Sequence, residues 1–162
     1  MLFRSVENGD IDIAIGRFGT VPGSLEIAPI IETSMSLMCR KDHQLARRKT
    51  IRLIDMAKYR LIAAGPWTQQ IINMAFSNAR LPTVGQIEVG NCQTASELVA
   101  SGVGIGLIHS FCIQRAKSNV LHFRDISRHA GRRIFSAVYR KKSNAQPALL
   151  KYLRDALLDR EI

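Results

Sequence analysis

The sequence predicts an α/β fold with a mostly parallel sheet, and the prediction rests on the order of its apolar segments. Short apolar runs such as Ile11–Gly16 and Gly104–Ile108 are typical of buried strands. The segment Pro66–Ala79 instead has one apolar face at helical spacing, with a proline in its first turn. Because strands and helices of this kind alternate along the chain, we expect a parallel sheet covered by helices.

The remaining segments continue this alternation. Residues 1–8 have the pattern of the end of a helix closed by Gly9. The spacing of Thr94 and Glu97 predicts a capping box, with Thr94 as the N-cap of a helix that ends at Gly102. Further strands are expected at Leu25–Ile31, Ser34–Cys39, Arg60–Ala64, Gln86–Gly90, Val120–Phe123 and Ile134–Arg140, and further helices at Leu53–Lys58, Ser110–Lys117 and Pro147–Arg160.

The order of these elements predicts two α/β lobes joined by two crossover segments. Residues 45–123 hold a strand-helix series that can close as one lobe, and residues 1–44 and 124–162 would form the other. Two lobes joined in this way enclose a cleft, and small ligands bind in such clefts.

Composition and charge limit the possible functions. The 162 residues are 46% hydrophobic and 22% charged, which is enough for a core without metals or disulfides. The unpaired spacing of Cys39, Cys92 and Cys112 indicates a reducing compartment, and we expect a cytoplasmic protein without a signal peptide, membrane span, metal or cofactor. The net charge of +10 is concentrated in residues 40–60 and 115–142. Aromatic residues do not interleave with these charges, so solvated basic faces are favoured over a nucleic-acid platform.

Several segments together carry a family resemblance. Leu98–Ile108 resembles the helix-to-strand segment of the effector domains of LysR-type transcriptional regulators, and Asn91 and Thr94 stand where that family has a polar pair. Gly9–Gly16 resembles the family's second strand. Residues 42–46 and 51–57 resemble its hinge segment, although Gln44 replaces the usual proline there, and His109 also stands where proline is common. These matches span nearly the whole chain in the family's order.

The resemblance implies a periplasmic-binding-protein-like fold of two α/β lobes with a ligand cleft. It also implies that a winged helix-turn-helix domain, a linker helix and the first strand and helix of the first lobe are missing here. The expected function is therefore to sense a small, anionic effector in the cleft and so to control transcription, without enzymatic activity. DNA would be contacted only through the missing domain, and we expect a homodimer or higher homo-oligomer.

Helix starts and strand ends supply the expected ligand contacts, since the N–H groups of a helix start favour anions and the ends of strands face the ligand crevice. Each has a simpler alternative. Capping alone explains Thr94, core packing explains Trp67 and His109, and solvent exposure explains Arg17. The expected ligand-binding residues are Gly16, Arg17, Trp67, Thr68, Asn91, Cys92, Gln93, Thr94, His109 and Ser110.

Two other classes of protein are alternatives to a transcriptional regulator. A solute-binding protein of a transport system would share the fold but needs a secretory signal or lipid anchor. An enzyme would need a convergent acid–base pair, and the sequence shows none. The glycines Gly102, Gly104 and Gly106 precede a strand instead of following one, so they do not indicate a dinucleotide-binding loop.

Overall fold

The computed structural model describes residues 2–116, 118–141 and 146–158. Its helices are α1 (Leu2–Asn8), α2 (Leu53–Met56), α3 (Pro66–Asn78), α4 (Cys92–Ala100), α5 (Ile113–Ala116), α6 (Ser127–Ala130) and α7 (Gln146–Leu158). Its strands are β1 (Ile13–Gly16), β2 (Leu25–Arg40), β3 (Leu61–Ala64), β4 (Gln86–Val89), β5 (Ile105–His109), β6 (Leu121–Asp125) and β7 (Arg132–Arg140). The predicted α/β architecture is confirmed.

The chain divides into two compact units. Unit 1 comprises residues 1–33 and 133–162, and unit 2 comprises residues 34–132. The sequence places residues 34–44 and 124–132 in the first lobe, whereas the structure groups them with unit 2. The reason is strand pairing: Ser36–Arg40 of β2 pairs antiparallel with Leu121–Asp125 of β6.

Some predicted elements differ from those observed. The two strands expected at Leu25–Ile31 and Ser34–Cys39 are one continuous strand, β2. Helix α6 was not predicted, because four residues give too short a pattern to detect. The predicted ends of the last two helices, at Lys117 and Arg160, lie outside the described residues.

Unit 1 contains α1, β1, β7, α7 and the first part of β2. Strand β1 pairs antiparallel with β7, and β7 lies beside β2, so β1 is an edge strand. It is therefore less buried than predicted: Ala14 is buried, but Ile15 is 46% exposed. The Arg140 guanidinium donates to the carbonyl oxygens of Val6 (2.7 Å) and Ile11 (3.1 Å), which fixes the end of α1 against the sheet.

Unit 2 is built on a mixed sheet. Strand β3 runs parallel to its neighbours β4 and β5, whereas β2 runs antiparallel to β5 and β6. A mostly parallel sheet is therefore found only at β3, β4 and β5, because the strands that lead into and out of the unit run antiparallel to their neighbours. Successive side chains of β2 point to opposite faces. One face packs against α3, through buried Leu37, Ile72 and Phe76, and the other packs against α4, through Met38 and Val99.

Candidate functional site

The starts of helices α3 and α4 lie beside each other at one edge of the unit 2 sheet. Strands β3, β4 and β5 are parallel neighbours, so their carboxyl ends meet at the same edge. The N–H of Gly65 donates to the carbonyl oxygen of Val89 at 2.7 Å, which joins the end of β3 to that of β4. Residues 65–68, 90–94 and 109–110 define what we call the carboxyl edge. It holds every predicted ligand-binding residue of unit 2.

Helix α4 begins at the carboxyl edge with Asn91 as its N-cap. The Asn91 side-chain oxygen accepts a hydrogen bond from the N–H of Thr94 at 2.9 Å. The capping box predicted for Thr94 and Glu97 is therefore wrong, and Thr94 is the third residue of the helix. As a consequence the Thr94 hydroxyl is not used as the cap, and its side chain is exposed together with those of Asn91 and Gln93.

The N-cap of helix α3 is Gly65, whose φ of +89° is a backbone conformation that favours glycine. Trp67, the second helical residue, is 47% exposed, so it is not a core residue. Thr68 is fully buried, and its hydroxyl donates to the carbonyl oxygen of Ala64 at 3.0 Å. The structure thus presents Trp67 at the carboxyl edge but turns the side chain of Thr68 into the fold.

The end of β5 contributes a packed ring and a hydroxyl. His109 is buried, and its ring stacks on Phe111 with 5.5 Å between centroids. The Ser110 hydroxyl oxygen accepts a hydrogen bond from the N–H of Ser34 at 3.2 Å. His109 therefore packs within unit 2, as the simpler alternative for it expected.

Sequence reasoning missed two polar residues beside Ser110. The Ser34 hydroxyl donates to Oδ2 of Asp125 at 2.9 Å, which links the end of β6 to β2. The rule that selected His109, a polar residue at the carboxyl end of a strand, also applies to Asp125. It was missed because the strand was expected to end at Phe123 instead of Asp125.

The two cysteines near the carboxyl edge contact each other. The Cys92 side chain is close enough to Cys112 to affect its thiol, and both side chains pack against the cluster that covers the α4 face of the sheet. Burial, together with a smaller effect of the neighbouring Cys92, raises the pKa of Cys112 to about 12. Cys92 is free and half-buried, so its sulfur is directed into the packing around α4.

Gly16 and Arg17 belong to unit 1, at the end of β1. A Cβ atom added at Gly16 would lie 3.2 Å from the Phe18 ring, so this glycine allows a close ring contact. Burial lowers the pKa of Arg17, and the nearby guanidinium of Arg133 lowers it further.

The glycines that superficially resemble a phosphate loop have a packing role. A Cβ atom at Gly104 would collide with the Arg60 carbonyl oxygen, and one at Gly106 would lie 2.6 Å from Cε of Met38. Both glycines therefore allow close contact between β5 and its surroundings. This agrees with the rejection of a dinucleotide-binding loop from the sequence.

The described residues contain neither a metal-binding cluster nor a membrane-spanning helix. Among residues 2–116, 118–141 and 146–158, no three His, Cys, Asp or Glu side chains are grouped so that they could hold a metal ion. Within the same ranges, each helix is too short or too polar to cross a lipid bilayer.

Comparison with known proteins places the chain in a family. The family described as LysR substrate binding domain matches residues 1–160. The chain belongs to this family. It is 28% identical over 105 residues to the uncharacterised HTH-type transcriptional regulator YnfL of Escherichia coli, covering 62% of this chain and 35% of YnfL. It is 21% identical over 151 residues to the uncharacterised HTH-type transcriptional regulator YbhD of the same organism, covering 92% of this chain and 48% of YbhD.

A solved structure confirms the fold of this LysR substrate-binding domain. The regulatory domain of Synechocystis CcmR, determined in complex with 2-PG, superposes with a TM-score of 0.77 at 17% identity, over 98% of this chain and 79% of that one. The periplasmic-binding-protein-like fold expected from the sequence is therefore correct. The chain spans less than half the length of YnfL or YbhD. YnfL and YbhD are transcriptional regulators. This similarity favours a regulator over the alternative of a solute-binding protein of a transport system.

Proposed function

We propose that this LysR substrate-binding domain senses a small anionic effector at the carboxyl edge of unit 2 and thereby controls transcription. The observation that carries the proposal is the pairing of two helix starts at one sheet edge, with Trp67, Asn91, Gln93 and Thr94 exposed there. The CcmR regulatory domain, which has the same fold, was determined with a small ligand. An effector-sensing role follows from this combination of a regulator family and an accessible polar edge.

The chemistry of the edge favours an anion. The first N–H groups of a helix have no acceptor within it, and Asn91 occupies only the N–H of Thr94. Those of Cys92 and Gln93 are thus available to a carboxylate, phosphate or sulfonate, and the helix start adds a partial positive charge. The exposed Thr94 hydroxyl adds a donor beside it, and the half-exposed Trp67 ring adds contact area.

Regulation would follow from differential affinity. An effector that binds one conformation of the domain more tightly shifts the population toward that conformation. If another part of the regulator, outside this chain, contacts DNA, this shift changes its operator affinity by the same coupling free energy. We propose that the regulator works in the cytoplasm as a homodimer or higher homo-oligomer, and that it binds the effector without converting it.

The first experiment identifies the effector and locates its site. The chain is screened by thermal unfolding against carboxylates, phosphates and sulfonates, and hits are measured by calorimetry on the wild type and on Thr94→Ala. Loss of a hydroxyl that contacts a charged ligand lowers affinity about ten- to a hundredfold, while Thr94→Ser retains it. The control is Thr83→Ala. Thr83 precedes the first residue of β4, whereas the carboxyl edge follows the last residue of that strand. Equal affinities of Thr94→Ala and wild type, with Asn91→Ala also unchanged, would refute the site. Arg17→Gln in the same assay tests the predicted contact in unit 1.

The second experiment tests regulation and turnover. Operator binding by the longer regulator is measured with and without the effector, and the Thr94→Ala regulator should need about ten- to a hundredfold more effector for the same response. The effector is then recovered and analysed by mass spectrometry. Recovery of a converted product would contradict binding without catalysis, and an operator affinity that ignores the effector would contradict the regulatory role.

A further inference from the structure

Unit 2 contains a polar cavity that shares no residue with the carboxyl edge. Its volume is about 210 Å³, and it lies between residues 49–51, just before α2, and residues 124–129, which run from the end of β6 into α6. A cavity of this size is smaller than a site for a drug-sized molecule, and it suits a small ion or a compact ligand group. The lining residues are Lys49, Thr50, Ile51, Arg124, Asp125, Ile126, Ser127, Arg128 and His129.

The charges around this cavity are mostly positive. Lys49, Arg124 and Arg128 are cations, and Asp125 is the acid that lines it. The Asp125 carboxylate is already engaged: Oδ1 accepts from the N–H of Ser127 at 2.6 Å and Oδ2 accepts from the Ser34 hydroxyl at 2.9 Å. Its oxygens are therefore occupied by neutral donors, but its charge remains and offsets one of the three cations, so the lining keeps a net positive charge that favours an anion.

The strongest single observation is the state of the Arg124 guanidinium. Its Nε is buried and finds no hydrogen-bond partner in the described part of the chain. Its Nη2 reaches the Ala46 carbonyl oxygen and Nε2 of His122 only at 3.5 Å, the outer limit for a hydrogen bond. Buried polar groups are nearly always hydrogen-bonded, and Arg124 is one of the residues that line the cavity, so its guanidinium can serve as a donor to an acceptor bound there.

A hydrogen bond also joins the two segments that line the cavity. Nε2 of His129 lies 2.8 Å from the carbonyl oxygen of Ile51, which is an acceptor only, so Nε2 carries the proton and donates. The hydroxyls of Thr50 and Ser127 lie on the same two segments and can donate to a bound group.

We propose that this cavity binds a small oxyanion, phosphate or sulfate, either free or as the terminal group of a compact metabolite. Arg124 donates to it from the buried side, and Lys49 and Arg128 neutralise its charge from the exposed side. The site is distinct from the proposed effector site, because it uses other residues and another pair of segments. The domain then holds two anion sites within unit 2.

The test uses inorganic phosphate as the probe. Binding to the 162-residue chain is measured by calorimetry and by phosphorus NMR line broadening, against chloride at matched ionic strength. Lys49→Gln and Arg128→Gln alter exposed side chains and should fold normally. Each should weaken phosphate binding about tenfold or more, as expected for loss of a charged hydrogen bond. Arg124→Gln should abolish it, and Arg124→Lys should restore charge but not the Nε contact.

Controls separate this site from general attraction to a basic protein. Arg115→Gln removes an exposed charge from α5, outside the cavity, and should leave phosphate affinity unchanged. Thr94→Ala should also leave it unchanged, so that failure of the effector site and failure of this site give different results. The proposal is overturned if Arg115→Gln weakens binding as much as Arg128→Gln, if chloride competes equally, or if duplex DNA binds and phosphate does not.

Discussion

The Asn91 side chain caps helix α4 through the N–H of Thr94, at 2.9 Å. Removing the cap by Asn91→Ala should lower the free energy of unfolding by about 1 kcal/mol. Thr94→Ala should cost much less, because the Thr94 hydroxyl makes no capping bond and alanine has the higher helix propensity. Urea unfolding of both variants checks this order. If Thr94→Ala is the more destabilising change, Thr94 is the cap after all.

A buried carboxylate in the first turn of α2 should stabilise the fold more than an exposed one. Asp55 is 4% exposed; it accepts from the N–H and Nε of Arg52 at 3.0 and 3.2 Å and pairs with Arg48 at 2.7 Å. Asp42 makes an equally short ion pair with Arg40, but its side chain is 65% exposed. Asp55→Asn should therefore cost about 1.5–3 kcal/mol, and Asp42→Asn at most about 1 kcal/mol. Similar losses in urea unfolding would contradict the role of burial.

The same carboxylate predicts a response to acid. Hydrogen bonds from Arg52 lower the pKa of Asp55 to about 2, below its value in an unfolded chain. Its stabilising effect is thus complete above pH of about 4 and is lost as the pH falls toward 2. Between pH 5 and 2.5 the wild type should lose more unfolding free energy than Asp55→Asn. Parallel acid profiles for the two proteins would refute this.

Two thiols with raised pKa values should make the free energy of unfolding fall as the pH rises into the basic range. Burial raises the pKa of Cys39 to about 11 and that of Cys112 to about 12. In the unfolded chain these thiols ionise near pH 8.5, so the unfolded state releases protons that the folded state keeps. Stability should therefore fall above pH of about 8.5, by about 2 kcal/mol for each thiol at pH 10. The Cys39→Ala and Cys112→Ala double variant should show a smaller loss between pH 7.5 and 10, and an equal loss would count against it.

Gly104 and Gly90 have different surroundings, so their substitutions by alanine form a matched pair. At Gly104 an added Cβ meets the Arg60 carbonyl oxygen, which also accepts the β5 hydrogen bond from Ile105. Gly104→Ala should therefore cost about 3 kcal/mol or fail to fold. At Gly90 an added Cβ meets nothing within 4 Å, and Gly90→Ala should be close to neutral. Thermal unfolding distinguishes them, and equal melting temperatures would contradict the close contact at Gly104.

Local patterns predicted the helices other than α6, but not always their first residue. Pro66 and the apolar spacing after it correctly located α3. At α4, Asn91 and Thr94 are three residues apart and either side chain can cap a helix. The choice of Asn91 is fixed by the end of β4 at Val89, a tertiary feature that the local pattern does not contain.

Long-range contacts were the least predictable part of the candidate site. The bond from Ser34 to Asp125 joins strands far apart in sequence, and strand pairing of this kind has no short-range signal. The buried Arg124 beside it looks like one more charge in a basic stretch. Only its place at a cavity wall, with Nε lacking an acceptor among the described residues, separates it from its neighbours.

The order of the two units along the chain has a consequence for synthesis on the ribosome. Unit 2 is a continuous segment, whereas unit 1 combines the first and last parts of the chain. Strand β1 emerges before unit 2, but Ile13 pairs with Tyr139 of β7, which is translated after unit 2. Domains fold as they emerge, N-terminal first. Here unit 2 can complete its sheet while β1 still lacks its partner strand, so a nascent chain whose residues up to 132 have left the ribosome should already contain a folded unit 2 and an unpaired β1.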